Sequence, residues 1–347
     1  MRDYNSLLND LLSLQAKVED VFKPTLFWQA AANDLAAIIQ HHELSEFRNK
    51  KACLDYFVPT YGFPGIALNE DQIDSLLKLA KDGNKRQKAT LHSFTSGYDH
   101  FLSDYRVARA ARIEDTKNIV RSFSESKIGN PIEHFELDNC CYSRSALNYI
   151  NGLLALQAFD PDASLNRVME IGGGFGSLGE ILFKSSSDTK LYINLDIPPT
   201  CIFADFYLTE VFKQNLVTDL AKRQRAEQKI EDMNGIHVLP NWEITRLSGQ
   251  IDLFVNFISF QEMEPHVVKR YMDEIFRFSP TYLLLRNLRE GKPVAKSGSV
   301  GVLNPVRGID YETWLRERYQ MVKTDSNVFG HTTSDGFHSE ITIWKHK

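Results

Sequence analysis

Apolar positions change their period part-way along the chain. Up to about residue 125 they recur in steps of three and four, the spacing of a helix face. Leu7, Leu11, Leu14, Val18 and Val21 form one such face, and Leu35, Ile38 and Ile39 a second. A third helix is expected from Asn69 or Asp71, through Ile73, Leu76 and Leu77, to a stop near Gly83. Between the second and third lies an aromatic, turn-rich connector, Phe57-Val58-Pro59-Thr60-Tyr61-Gly62-Phe63-Pro64-Gly65. The run from Asp104 to Arg121 mixes basic residues with alanine and isoleucine, the pattern of a solvated helix. A boundary between Ser124 and Pro131 divides a helical region, 1–125, from a second region, 126–347.

In the second region short apolar runs alternate with helical ones. Phe135-Glu136-Leu137 precedes a helix that Ser143 or Ser145 caps, with Leu147, Ile150, Leu153 and Leu154 on its buried side. Strands are expected at Arg167–Ile171, Leu191–Asp196, Gly235–Leu239, Ile251–Asn256 and Thr281–Arg286. Helices are expected over 204–230, over about 265–277 and from Asp310. Two strands close the pattern, near Tyr319–Lys323 and Glu340–Trp344. Strand–helix alternation of this kind predicts an open, mostly parallel α/β sheet.

The first of these strands runs into Glu170-Ile171-Gly172-Gly173-Gly174-Phe175-Gly176, and a helical stretch follows. Glycines let a backbone approach a ligand closely, and a helix start offers unpaired N–H groups. The turn fits two registers. Gly174-x-Gly176-x-x-Gly179 matches the dinucleotide fingerprint, but it would extend the strand through Gly172 and Gly173 and place Glu170 inside it. Glu170-x-Gly172-x-Gly174-x-Gly176 ends the strand at Ile171 and puts the acid at its mouth. This second register resembles the first motif of class I S-adenosylmethionine (SAM) methyltransferases. An acid there suits a cationic ammonium and sulfonium, and suits a pyrophosphate badly.

In open α/β sheets ligands bind beyond the carboxyl ends of the strands, so position nominates residues. Glu170, Gly172, Gly174 and Gly176 end the first strand; Asp196 ends the second, placed for ribose hydroxyls, which SAM and NAD share. Tyr142 and Ser143, ahead of the first strand, are candidates to close over the cofactor. Methyl transfer to a hydroxyl needs alignment and removal of a proton. Past the fourth strand, Glu262 and His266 are base candidates four residues apart; His331 and His338, in the loop between the last two strands, are others. Residues 286–309 form a long glycine-containing connection suited to a substrate lid. Asp252, Glu262 and Glu264 are the carboxylates that could gather a divalent metal such as Mg²⁺, although Asp252 is expected at the opposite end of its strand.

Bulk properties narrow the partners. At 347 residues and a net charge of −5, the chain has none of the basic excess that marks nucleic-acid binding. No apolar run is long enough to span a membrane. The start, Met1-Arg2-Asp3-Tyr4-Asn5, lacks the apolar stretch of a signal peptide. Cys53, Cys140, Cys141 and Cys201 have no zinc-like spacing and are expected to be reduced. A cytoplasmic location is therefore expected.

Several stretches together resemble the sugar O-methyltransferases of bacterial surface-polysaccharide gene clusters. They are Tyr56-Phe57-Val58-Pro59-Thr60, Tyr142-Ser143, Met169 to Gly176, Leu195-Asp196-Ile197-Pro198 and Ser259-Phe260-Gln261-Glu262-Met263. The resemblance implies a Rossmann-like class I methyltransferase fold, with a seven-stranded sheet and an antiparallel last strand, plus the α-helical N-terminal region. It also implies SAM as cofactor and a sugar, sugar-nucleotide or glycan hydroxyl as acceptor. The loop after the third strand would edge the adenine, with Asn241 as polar contact and Trp242 as apolar wall. The N-terminal helices would cover the acceptor site or mediate a homodimer. Gln261-Glu262 stands where many small-molecule O-methyltransferases carry His-Asp. An NAD-dependent oxidoreductase or epimerase, and a non-catalytic binding module on the same fold, are the alternatives.

Overall fold

The computed structural model describes residues 2–57, 70–81, 83–111, 119–185, 188–213, 216–222, 227–295, 301–325, 328–333 and 336–347. The aromatic connector beyond Phe57 lies outside them, as do 112–118 of the basic run and 296–300 of the expected lid.

The N-terminal region is helical: α1 (Tyr4–Gln15), α2 (Leu26–Gln40), α3 (Lys51–Phe57), α4 (Glu70–Lys81), α5 (Lys85–Ser96), α6 (Tyr98–Ala110) and α7 (Ile119–Ser122). Asp3 caps α1 by accepting from the Ser6 N–H at 3.0 Å. Leu7, Leu8 and Leu11 of α1 and Leu35, Ile38 and Ile39 of α2 are buried, as their spacing requires. The basic run departs from a solvated helix. Its first part lies in α6, which buries Phe101, Tyr105 and Ala108. Its other face carries Arg106, which is exposed, and Arg109, which is half-buried.

The second region begins with a hairpin pairing Phe135–Leu137 with Cys140–Tyr142. Helix α8 (Arg144–Phe159) follows, capped by Ser143, whose hydroxyl accepts from the Ala146 N–H at 3.1 Å. The principal sheet has strands β1 (Arg167–Ile171), β2 (Leu191–Asp196), β3 (Gly235–Pro240), β4 (Leu253–Phe257), β5 (Tyr282–Leu288), β6 (Tyr319–Asp325) and β7 (His338–His346). Their spatial order is β3-β2-β1-β4-β5-β7-β6. The first five run parallel, and β7 lies antiparallel between β5 and β6. That order with one reversed strand is the Rossmann-like class I methyltransferase fold. β1, β2 and β4 are buried on both faces, which explains their continuous apolar runs.

Helices α9 (Ser177–Lys184), α10 (Thr200–Phe212), α11 (Pro265–Arg277) and α12 (Gly308–Leu315) flank the sheet. The helix expected over 204–230 begins earlier and stops at Phe212, because Lys213 takes a left-handed φ of 58°. A short strand, His331–Thr332, pairs with β7 inside the expected histidine loop. No helix among the described residues is long and apolar enough to cross a membrane.

One hydrophobic core runs from the N-terminal helices into the sheet. Buried Arg48 ties the two regions together. It pairs with Glu125 at 2.8 Å and Glu133 at 2.6 Å, and its guanidinium lies 4.8 Å from the ring centre of Phe175 in the glycine turn. β1 is flanked by β2 on one side and β4 on the other, and the connections leave it in opposite directions. The crevice at this reversal is where the fold places its ligands.

Candidate active site

A cleft lined by the carboxyl ends of β1, β2 and β4 opens at that point. Its floor is the glycine turn. β1 ends at Ile171, so the strand stops before the glycines, as the acid-plus-alternating-glycines register requires and the dinucleotide register does not. Gly172, Gly174 and Gly176 all have positive φ, at 72°, 56° and 94°. Their crowding differs. A Cβ on Gly172 would sit 2.1 Å from Ser259 Oγ, and one on Gly176 would sit 2.6 Å from Leu208. At Gly174 the nearest atom would be Phe57 Cδ1 at 3.7 Å, so this glycine faces open space in the cleft.

Gly172→Ala is therefore expected to be costly. A left-handed alanine costs about 1–2 kcal/mol and the overpacking about 1–3 kcal/mol more. Ser259 cannot simply turn aside, since its hydroxyl donates to Ile171 O at 3.1 Å and accepts from Asn256 Nδ2 at 2.6 Å. Thermal denaturation of the variant should show a melting temperature lowered by several degrees; an unchanged value would mean that the turn is not held in this conformation.

Asp196, at the end of β2, lines the cleft and shapes its floor. Its Oδ2 accepts from the Gly174 N–H at 3.0 Å and its Oδ1 from the Ile197 N–H at 2.8 Å. Burial pushes its carboxyl up to about 7; the two N–H donors oppose that shift, and the charges of Glu170 and Glu262 add to it.

Glu170 is fully buried beneath the turn rather than in the cleft. A Cβ on Gly173 would meet its Oε2 at 2.7 Å, and Gly173 itself lines the cleft, so this glycine separates carboxylate from cavity. Tyr149 and Tyr192 donate to it at 2.7 and 2.5 Å. Burial raises its pKa to about 7 against these hydrogen bonds. Tyr149 also stacks on Phe257 with ring centres 4.8 Å apart, forming an apolar wall.

Asn241, just past β3, closes another side. Its amide donates to Phe22 O at 2.9 Å and to Tyr271 Oη at 2.6 Å, while its Oδ1 is buried with no partner. Ser177 Oγ, where the turn enters α9, is also buried, unpartnered and in the cleft wall. Buried polar atoms without partners are uncommon and mark places where a ligand group can be received. Trp242 and Tyr142 are both buried but line no part of the cleft. Trp242 joins the core, and Tyr142 packs on Tyr105 and Phe123.

Among the base candidates only Glu262 lines the cleft. It is buried, accepts from Trp28 Nε1 at 3.2 Å and pairs with Lys292 at 2.7 Å. His266, in the first turn of α11, is exposed and outside the cleft. His331 lies beyond β5, beside Arg286, and His338 pairs with Glu290 at 2.6 Å. The three carboxylates weighed for a metal stand apart. Asp252 accepts from the Arg167 N–H at the far end of the sheet, and Glu264 accepts from the N–H groups of Leu303 and Asn304. Among the described residues no cluster has the make-up of a metal site.

The cleft wall also contains residues that strand-end reasoning missed: Lys23, Pro24, Thr25, Trp28 and Tyr56 from the N-terminal helical region. Thr25 donates to the backbone carbonyl of Glu262 at 3.0 Å, and Trp28 lies 5.9 Å from Tyr56, ring centre to ring centre. Ile258, at the end of β4, has a φ of 73°. A β-branched residue there is strained, and such strain concentrates at ligand sites.

No protein-family model matches the chain, and no curated protein matches it by sequence. Solved structures resemble it in part. A magnesium protoporphyrin IX methyltransferase from Synechocystis, with bound S-adenosylhomocysteine, is 13% identical, with a TM-score of 0.40 over 59% of this chain and 84% of that one. The mitomycin 7-O-methyltransferase is 12% identical, with a TM-score of 0.37 over 99% of this chain and 83% of its own. A SAM-dependent methyltransferase from Clostridium acetobutylicum is 8% identical, with a TM-score of 0.38 over 56% of this chain and 90% of that one.

Proposed function

We propose that this protein is a SAM-dependent O-methyltransferase whose acceptor is a hydroxyl of a saccharide. The observation that carries the cofactor assignment is the set of groups around the cleft. Open backbone at Gly174, the Asp196 carboxylate and the unpartnered Asn241 Oδ1 and Ser177 Oγ lie around one cavity on a class I methyltransferase sheet. Asp196 would accept from the ribose hydroxyls, Asn241 Oδ1 from the adenine amine, and Ser177 would meet the amino-acid end. Buried Glu170 would act through Gly173 as a negative charge beneath the cationic part. When bound, SAM supplies an electrophilic methyl on sulfur.

The acceptor assignment draws on the other wall. Trp28 and Tyr56 offer aromatic faces with polar edges, a surface suited to the alternating apolar and hydroxyl faces of a sugar. Glu262 stands beside them as the group that takes the hydroxyl proton, and Trp28 and Lys292 hold its orientation. The N-terminal helices would then cover the acceptor. Incubating the protein with methyl-labelled SAM and a panel of monosaccharides, nucleotide sugars and glycans, beside phenols and other non-saccharide alcohols, tests this. Label in a saccharide supports the reading, whereas label transferred only to non-saccharide hydroxyls contradicts the acceptor class.

The state of Asp196 makes a further expectation. Its raised pKa means that the unliganded fold prefers the proton. The stability this contributes is present below the ordinary carboxyl pKa and is lost as pH rises through about 7. Ribose hydroxyls donate to the ionised form, so SAM affinity should run the other way and rise with pH. Between pH 6 and 8 calorimetry should record about a tenfold gain. Glu170 contributes in the same window, and Asp196→Asn should leave only that share. A flat profile in the unaltered protein would contradict the ribose role.

A further inference from the structure

Arg286 is the most anomalous charged residue outside the cofactor cleft. It sits near the carboxyl end of β5 and is 1% exposed. Its Nε donates to Ser339 Oγ and its Nη2 to His331 Nδ1, both at 3.3 Å, and its Nη1 is buried with no partner. Among the described residues no carboxylate pairs with it. A buried guanidinium without an anion is costly, and folds retain such a charge where something arrives to neutralise it.

Its surroundings define the missing group. Accepting from Arg286 leaves His331 Nδ1 without a proton, so a neutral ring carries its proton on Nε2 as a second donor. Burial, then the charge of Arg286, lowers the His331 pKa to about 4, so the ring is neutral at pH 7. Arg144, at the start of α8, stands in the same cluster, with its Nε 2.7 Å from Asp104 Oδ2. That carboxylate is thereby engaged by another arginine. His331 is half-buried and His100, on the outer side of the cluster, is exposed, so the cluster extends from solvent inward to Arg286.

The location joins the cluster to the cleft. Arg286 is the register partner of Phe257 on the neighbouring parallel strand, so both side chains leave the same face of the sheet. Phe257 lines the cleft, as do Ser145 and Asn148, and the Asn148 amide donates to the backbone carbonyl of Arg144 at 2.7 Å. The unpaired charge therefore lies one side chain beyond the cleft wall.

We propose that Arg286, with His331 beside it, receives an oxyanion carried by the acceptor, so that the saccharide substrate is acidic. This rests on the methyltransferase reading of the neighbouring cleft. The oxyanion is either the carboxylate of a uronic acid or a phosphate of a nucleotide sugar, both planar or tripodal oxygen sets that a guanidinium fork engages.

Calorimetry at constant ionic strength tests it, with three probes titrated into the full-length protein with and without S-adenosylhomocysteine: glucuronate, uridine diphosphate and neutral methyl glucoside. One of the two anions should bind, and which one identifies the source of the oxyanion. Arg286→Met should weaken that anion by about tenfold or more while changing S-adenosylhomocysteine affinity by less than about twofold. Arg286→Lys, which keeps charge without the fork, should fall between. With its uncompensated charge removed, ligand-free Arg286→Met should melt no lower than the unaltered protein.

Binding of neither anion, or equal binding by the unaltered protein and Arg286→Met, would overturn the proposal. So would a failure of both variants to fold, which would make the guanidinium structural. Loss of the methyltransferase reading would appear separately, as absent S-adenosylhomocysteine binding by the unaltered protein.

Discussion

Asp196→Ala should lower SAM affinity about 100-fold or more while leaving the fold intact. Two ribose hydroxyls donating to one ionised carboxylate contribute about 1.5–3 kcal/mol each, and each 1.4 kcal/mol is a factor of ten in affinity. The same substitution removes the acceptor of the Gly174 N–H, so the floor of the cleft loosens together with the loss of the proposed ribose contact. Stability should not fall with binding. The carboxyl is raised by its burial, so its ionised form is a cost to the unliganded fold at neutral pH, and alanine removes that cost. Affinity measured by calorimetry, beside a melting temperature, separates the two effects. A variant that binds SAM normally would remove Asp196 from the site.

Glu262→Gln should act on the other half of the reaction. Glutamine keeps the shape and still accepts from Trp28, but it cannot take a proton. Loss of a positioned general base lowers kcat by about 10²–10⁴-fold. SAM affinity should change by no more than about twofold, because the groups proposed to hold its ribose and adenine, Asp196 and Asn241, are separate from Glu262 in the cleft wall. Steady-state kinetics with the acceptor found in the labelling panel decide this. An unchanged kcat would eliminate Glu262 as the base, and a raised KM with unchanged kcat would make it an acceptor contact instead.

Much of this arrangement is legible in the amino-acid sequence, for local reasons. The strands follow the largely apolar runs, and Asp196 stands where its strand ends and the chain turns toward the cleft. The glycine register is legible because the strand stops at Ile171, before the glycines, although Glu170 itself lies within β1 and is buried rather than open at its mouth. The second set of residues needs the fold. Thr25 and Trp28 reach Glu262 across more than 230 positions, and no local pattern announces a contact of that separation.

Orientation is the other quantity that the sequence hides. His266 is four residues from Glu262, but Glu262 ends a 3₁₀ turn and His266 begins α11, so the two do not share one helix face. Tyr142 precedes the first strand as expected, yet the Ser143 cap and the hairpin direct it toward Tyr105 and Phe123. The helix expected to reach residue 230 stops short of Lys213, whose left-handed φ no glycine advertises. Arg286 carries a signal that is open to reading, since it is the one charged residue of β5 and follows three leucines. Its missing counter-ion becomes visible only with the neighbouring elements in place.

The cleft is expected to take SAM. Equilibrium titration of the purified protein with SAM and with NAD, in parallel and under the same conditions, tests it most directly. Saturable one-to-one binding of SAM, with no saturable binding of NAD, is the predicted result. Binding of NAD with SAM ignored would contradict the account.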